Sequence, residues 1–94
     1  PLLQRGLLWG IGTLCTTFPD EMKKRCIEKD LLAYLSLEDR SVQHLALWAL
    51  SGLGAKCSRE EMANLDMSVT DMTIYQAHEL TTVDVKRLYD SLIL

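Results

Sequence analysis

Two histidines and three cysteines are the first side chains to consider as general bases, nucleophiles or metal ligands. Neither His44 nor His78 has a serine or cysteine at a spacing diagnostic of nucleophilic catalysis. The cysteines, Cys15, Cys26 and Cys57, are odd in number and lack CxxC spacing, which argues against a disulfide framework, a zinc site or an iron–sulfur site. The sequence therefore predicts a protein that is not an enzyme and holds no metal or cofactor.

Each of these residues also has an expected place in the structure. His44 should lie on an exposed helix side and His78 in a turn. Cys26 falls in an apolar helical stripe and is expected in the core, whereas Cys15 and Cys57 fall near turns between helices and are expected to be partly exposed. Reduced thiols fit a cytoplasmic protein.

The strongest candidates for binding are two tryptophans, Trp9 and Trp48, which occupy equivalent positions in two similar stretches of the chain. Arg5 and His44 are equivalent to each other in the same way. One interpretation is that each tryptophan packs against the neighbouring helix of an adjacent repeat. The other is that all four side chains share a concave face that binds a partner peptide or a cofactor, since Trp and Arg dominate binding hot spots.

A central helix from Asp39 to Gly54 is the element that must position these residues. Its apolar side chains recur at three- and four-residue spacing, which predicts one wide buried face: Val42, Leu45, Ala46, Ala49, Leu50 and Leu53. Asp39 and Ser41 offer N-cap oxygens, and Gly52 and Gly54 lie where a helix should stop.

The same pattern occurs 39 positions earlier in the chain. Identical residues stand at four of the aligned positions: Gln4 and Gln43, Leu8 and Leu47, Trp9 and Trp48, and Leu14 and Leu53. A period of about 40 residues, with each unit a pair of helices, is typical of stacked helical repeats.

The string Asp39, Val42, Gln43, Ala46, Ala49, Leu50, Leu53, Gly54 resembles the bacterial HEAT-like repeat of the phycobilisome-lyase type, Asp-x-x-Val-Arg-x-x-Ala-x-x-Ala-Leu-x-x-Leu-Gly. The resemblance covers roughly residues 2–65 and departs at Gln43, where the family pattern carries Arg. The resemblance implies a mainly α fold. It implies that this part of the chain is a fragment of an α-solenoid, made of two HEAT-like helical-hairpin repeats at about 1–38 and 39–65. It also implies a non-catalytic protein-interaction or scaffold module, or alternatively a lyase-like protein that handles a chromophore or other cofactor.

Within the first repeat, the first helix should run from Leu2 to about Thr16 and the second from Pro19 to about Leu35. Three glycines interrupt the first helix, and Gly10 is expected to let it approach its partner helix closely. In the second repeat, a capping box of Ser58 and Glu61 predicts a short helix that ends near Leu65.

Residues 66–94 do not continue the repeat and are expected to cap it. Residues 72–76 and 80–83 are β-prone and flank a turn, which predicts a β-hairpin. A capping box of Thr81 and Asp84 then opens a final helix with the stripe Val85, Leu88, Tyr89 and Leu92. A degenerate, all-helical third repeat is the alternative.

Charge and hydropathy restrict the partners. The formal net charge of -3, with one basic cluster at residues 23–25, argues against nucleic acid, and no apolar run approaches the ~20 residues that span a bilayer. We therefore expect a protein partner or another part of a longer chain. The chain begins inside a predicted helix, so an apolar repeat edge at Leu2, Leu3 and Leu7 should be exposed and could form a homo-oligomer by end-to-end association.

Overall fold

A computed structural model describes residues 2–93, apart from the side chain of Leu2, and contains five helices and two strands in that range. Their bounds are α1 (Leu2–Thr17), α2 (Pro19–Lys24), α3 (Glu28–Tyr34), α4 (Arg40–Leu53), β1 (Asp71–Gln76), β2 (Glu79–Asp84) and α5 (Val85–Leu92). The predicted mainly α fold with a C-terminal β-hairpin and final helix is confirmed. The predicted edge residue Leu2 has its side chain outside the described part of the chain.

Helix α4 is the centre of the molecule, because α1, α2, α3 and α5 all pack against it. Asp39 is its N-cap: Oδ1 accepts hydrogen bonds from the main-chain nitrogens of Ser41 and Val42 at 2.9 and 3.3 Å. Gly54 ends the helix in the left-handed conformation with φ 70°. The capping by Asp39 and Gly54 is confirmed, whereas Gly52 lies inside the helix.

Two glycines allow α1 and α4 to approach each other closely, but neither is Gly10. A β-carbon at position 12 would overlap the ring of Trp48, and one at position 52 would lie 2.8 Å from Thr16 Cγ2 and 3.2 Å from the Thr16 main-chain nitrogen. Position 10 faces open space, with no atom within 4 Å of where its β-carbon would be. The predicted role of Gly10 in this helix pair is therefore wrong.

The predicted second helix is two helices with a turn between them. Cys26 adopts φ 53°, and its main-chain nitrogen bonds to Lys23 O instead of continuing the α-helical pattern. The left-handed conformation of Cys26 changes the direction of the chain, so that both helices can pack on α4. Helix α2 packs through Met22, and α3 packs through Leu31 and its neighbours. Cys26 itself is exposed, not in the core.

The segment that follows α4 contains the predicted capping box but no α-helix. The main-chain nitrogen of Ser58 donates to Glu61 Oε1 at 2.9 Å, and that of Glu61 donates to Ser58 Oγ at 3.2 Å. Residues 59–64 nevertheless form a series of turns, while Met62 is anchored in the core at 2% exposure. Local capping was correctly predicted here, but the helix that it should open is not formed.

The hairpin pairs β1 with β2 in antiparallel register, with Ile74 opposite Thr81 and Gln76 opposite Glu79. Its two-residue turn consists of Ala77 and His78, both with positive φ, so the predicted turn position of His78 is confirmed. Asp84 caps α5 by accepting a hydrogen bond from the Arg87 nitrogen at 3.2 Å. Thr81 is paired within the strand, so the predicted capping box does not form.

Candidate functional site

Arg5, the first of the predicted binding residues, joins α1 to the start of α4. Its Nη2 donates to Oδ2 of Asp39 at 3.0 Å, while the other carboxylate oxygen caps α4. The hydrogen bond from Arg5, together with those from the Val42 and Ser41 nitrogens, holds the pKa of Asp39 below its usual value against the opposing effect of desolvation. Arg5 is therefore already engaged in the contact between two helices.

Trp9 joins α1 to the hairpin. Its Nε1 donates a hydrogen bond to the main-chain oxygen of Tyr75 at 3.0 Å. The Trp9 residue is 39% exposed, and the neighbouring strand pair of Tyr75 and Leu80 is also exposed. The indole nitrogen of Trp9 is thus bonded to the C-terminal segment, a contact that the repeat interpretation did not predict.

Trp48 lies inside the molecule at 5% exposure. Its ring occupies the space that a side chain at Gly12 would need, and so packs directly on α1. This confirms the interpretation in which Trp48 packs against the neighbouring first helix.

His44 is also buried, at 4% exposure, so its predicted position on an exposed helix side is wrong. Its Nε2 lies 2.8 Å from the main-chain oxygen of Asp66. Beside it, buried Gln43 donates through Nε2 to the oxygens of Leu37 and Asn64 and accepts through Oε1 from the Asp66 nitrogen at 3.0 Å. The two side chains fix the loops on either side of α4, a role that the sequence pattern around Gln43 did not predict.

The four predicted binding residues are therefore not brought together on one exposed face. Trp48 and His44 are buried, while Arg5 and Trp9 each contact a different neighbouring element. Equivalent positions on α1 and α4 differ in environment because α4 is surrounded by helices and α1 is covered on one side. A role of these residues in binding a partner remains a prediction.

The cysteines show the reverse of the predicted exposure. Cys15 and Cys57 are buried at 0% and 1% exposure, and burial raises the pKa of both thiols, which keeps them protonated and unreactive at neutral pH. Cys26 is exposed in the turn between α2 and α3. Within residues 2–93, no group of His, Cys, Asp and Glu side chains is arranged to hold a metal ion.

An exposed apolar stripe along α1 contains two residues of the predicted repeat edge, Leu3 and Leu7, and extends beyond them. It consists of Leu3, Leu7 and Leu14 on α1 and of Phe18 directly after the helix, exposed by 86%, 55%, 46% and 56%, with Gly10 in the middle, and is called the α1 stripe below. The spacing of four and seven residues places the three leucines on one side of α1, away from α4. Phe18 follows them, because its main-chain nitrogen donates to Leu14 O at 2.7 Å. No helix in the described range is both long and apolar enough to cross a membrane.

The sequence did contain a signal for this stripe. In the repeat alignment Leu3, Leu7 and Leu14 stand opposite Val42, Ala46 and Leu53, which α4 buries completely or almost so. The exposure predicted for Leu3 and Leu7 at the repeat edge is confirmed, and Leu14 extends the exposed face. Within residues 2–93, α1 faces α4 with Leu8, Gly12 and Cys15, and no element covers the α1 stripe.

One end of the α1 stripe opens into a cleft of about 340 Å³. Its lining consists of Leu14, Phe18, Glu21, Met22 and Arg25. Two charged side chains of opposite sign thus lie beside apolar groups, and the cleft is large enough for an apolar side chain from another molecule.

Comparisons with protein-family models, with curated proteins and with solved structures found no match to this chain. The arguments for function therefore rest on the residues and their geometry.

Proposed function

We propose that this chain is a non-catalytic protein-interaction or scaffold module of the cytoplasm, built from HEAT-like repeats, and that the α1 stripe is its docking surface. The observation that carries the proposal is the exposure of Leu3, Leu7 and Leu14 along one side of α1, continued by Phe18 directly after the helix. The three free cysteines support placement in a reducing compartment.

The arrangement of side chains on α1 favours a helical partner. Apolar residues that recur over four turns are the anchors by which helices recognise one another, and contiguous exposed apolar surface marks interaction sites in soluble proteins. Gly6 and Gly10 lie beside the leucines, and neither has an atom within 4 Å of the β-carbon position, so a second helix could approach the α1 backbone. The partner proposed here is therefore an apolar helix.

The repeat part of the proposal is supported by the packing of α1 along α4. These two helices carry the aligned residues, and Trp48 and Gly12 hold them side by side. Each proposed repeat is degenerate: its second half is two short helices in the first repeat and a series of turns in the second. The hairpin and α5 would close one end, because Val85 and Leu92 are buried in the common core.

Site-specific photo-crosslinking tests the docking surface. A benzophenone amino acid placed at Leu7 should form a covalent adduct with a defined protein in cells, whereas the same group at exposed Glu79, on the hairpin, should not. Circular dichroism would establish that both variants are folded. The absence of any adduct at position 7, or the same adducts at both positions, would contradict the proposal.

A further inference from the structure

We propose that the helix that covers the α1 stripe belongs to a second copy of this chain, and that the two α1 helices pair antiparallel about a two-fold axis close to Gly10. This inference rests on the proposed function, and it names the partner and the register.

The α1 stripe is symmetric in sequence. Leu3 and Phe18 lie equally far from the midpoint between positions 10 and 11, and so do Leu7 and Leu14. Two antiparallel α1 helices that cross at this midpoint would place Leu3 opposite Phe18 and Leu7 opposite Leu14, and each pair would occur twice. A two-fold interface requires this self-complementarity, in which the same surface meets itself.

The centre of the stripe is suited to a crossing point. Gly10 has no side chain, and its β-carbon position faces open space without an atom within 4 Å. At the midpoint of an antiparallel pair, the two Gly10 positions would meet near the axis. Small residues at such a point let two backbones approach closely, so that the larger side chains on either side interlock.

Charge favours a copy of the same surface over a charged partner. Between Leu3 and Phe18 the only charged residue is Arg5, and its guanidinium is bound to Asp39 on the side of α1 that faces α4. Two copies of the stripe therefore bring no like charges together. A strongly acidic or basic helix would find no counter-charge along the stripe itself.

The two ends of the stripe are complementary in shape. At one end Leu3 is 86% exposed and projects from the helix. At the other end Leu14, Phe18 and Met22 line the cleft of about 340 Å³. In the antiparallel register, Leu3 of each copy would reach the cleft of the other copy, which is the arrangement of a knob and its hole.

The area of the stripe sets the strength of this association. The fifteen residue steps from Leu3 to Phe18 extend about 22 Å, and a helix is about 10–12 Å wide, so the face covers roughly 250 Å² of each copy. Stable interfaces bury about 800 Å² of each partner. We therefore expect a weak, reversible dimer that is populated only at high protein concentration and dissociates on dilution.

Disulfide trapping tests the register directly. In a Cys26→Ser background, which removes the exposed thiol, Leu7→Cys and Leu14→Cys are made separately. The antiparallel register places positions 7 and 14 of different copies together, whereas two copies of position 7 lie about 10 Å apart along the axis, beyond disulfide reach. Mild oxidation should therefore link the mixture of the two variants, and neither variant alone.

Sedimentation equilibrium supplies the second measurement. Leu7→Glu should abolish the concentration-dependent dimer, and adding Leu14→Lys in the same chain should restore it, because each glutamate would then face a lysine of the other copy. A wild type that stays monomeric up to millimolar concentration, or Leu7→Cys alone that crosslinks as well as the mixture, would overturn the proposal. If the photo-crosslinking at Leu7 captures a different protein while the chain stays monomeric, the interaction module stands and only the second copy is excluded.

Discussion

The indole nitrogen of Trp9 donates a hydrogen bond to the main-chain oxygen of Tyr75 at 3.0 Å, between residues that are 66 positions apart in the chain. This bond fixes the hairpin against α1. Because the acceptor belongs to the backbone, the contact depends on Trp9 and on the path of β1, and not on the identity of the side chain at position 75. The partner-binding interpretation of Trp9 thus has a structural alternative.

Replacing Trp9 by Phe should loosen the hairpin without unfolding the helices. Phe keeps an aromatic ring at this position but has no N–H group to donate a hydrogen bond. A typical hydrogen bond contributes about 1 kcal/mol to the free energy of unfolding. Hydrogen exchange should become faster for amides of residues 71–84 and remain unchanged in α4. Tyr75→Thr is the matched control, because it leaves the acceptor in place; equal loosening in both variants would contradict this account.

Replacing Gly12 by Ala should destabilise the protein, because the new methyl group overlaps the buried ring of Trp48. Overpacking of this kind costs about 1–3 kcal/mol, partly offset by up to about 1 kcal/mol of improved helix propensity. Gly6→Ala, where the β-carbon meets open space, should instead stabilise α1 by about 0.5–1 kcal/mol. Urea unfolding in dilute solution measures both, and similar effects of the two substitutions would show that the contact with Trp48 is not tight.

Replacing Gln43 by Met should cost about 2–4 kcal/mol, because three main-chain groups in the surrounding loops lose their partner and each stays partly shielded from water. Gln4→Met is the control at the equivalent position of α1, where the side chain is exposed, and should change stability by less than about 0.5 kcal/mol. Thermal unfolding of both variants provides the measurement. An equal loss in the two would mean that the Gln43 contacts contribute little.

The Arg5–Asp39 pair should make stability depend on acidity. The pKa of Asp39 is lowered in the folded state, so its contribution is complete above the unfolded value of about 3.9 and is lost as the pH falls through the lower folded value. Asp39→Asn retains a good helix cap but not the charge. The variant should be less stable than the wild type at pH 6, and the difference should shrink as the pH falls below about 4.

The control for this titration is Glu79→Gln, which removes an exposed carboxylate of the hairpin. Its free energy of unfolding should follow that of the wild type over the whole range. A constant difference between wild type and Asp39→Asn at every pH would show that the loss arises from packing, and not from ionisation.

Features that depend on neighbouring residues in the chain were predicted well. The bounds of α4 follow from Asp39 and Gly54, whose effects on helix ends are local. The hairpin and α5 likewise follow from β-prone segments, a turn at His78 and a helical stripe. Where tertiary packing opposes a local signal, the prediction was wrong. The apolar spacing around Cys26 indicated one continuous helix, but the chain turns at this residue, and the turn allows α2 and α3 each to pack on α4.

The sequence by itself determined that α1 and α4 are amphipathic helices with similar stripes, and that a hairpin and a helix follow them. Only the tertiary structure decided which stripe is covered. The periodicity of apolar residues predicts that a helix has an apolar face. Whether that face is buried depends on which other elements pack against it, and such contacts join residues that are far apart in the chain. For this reason Trp48 and His44 lie inside while Leu7 and Leu14 remain exposed.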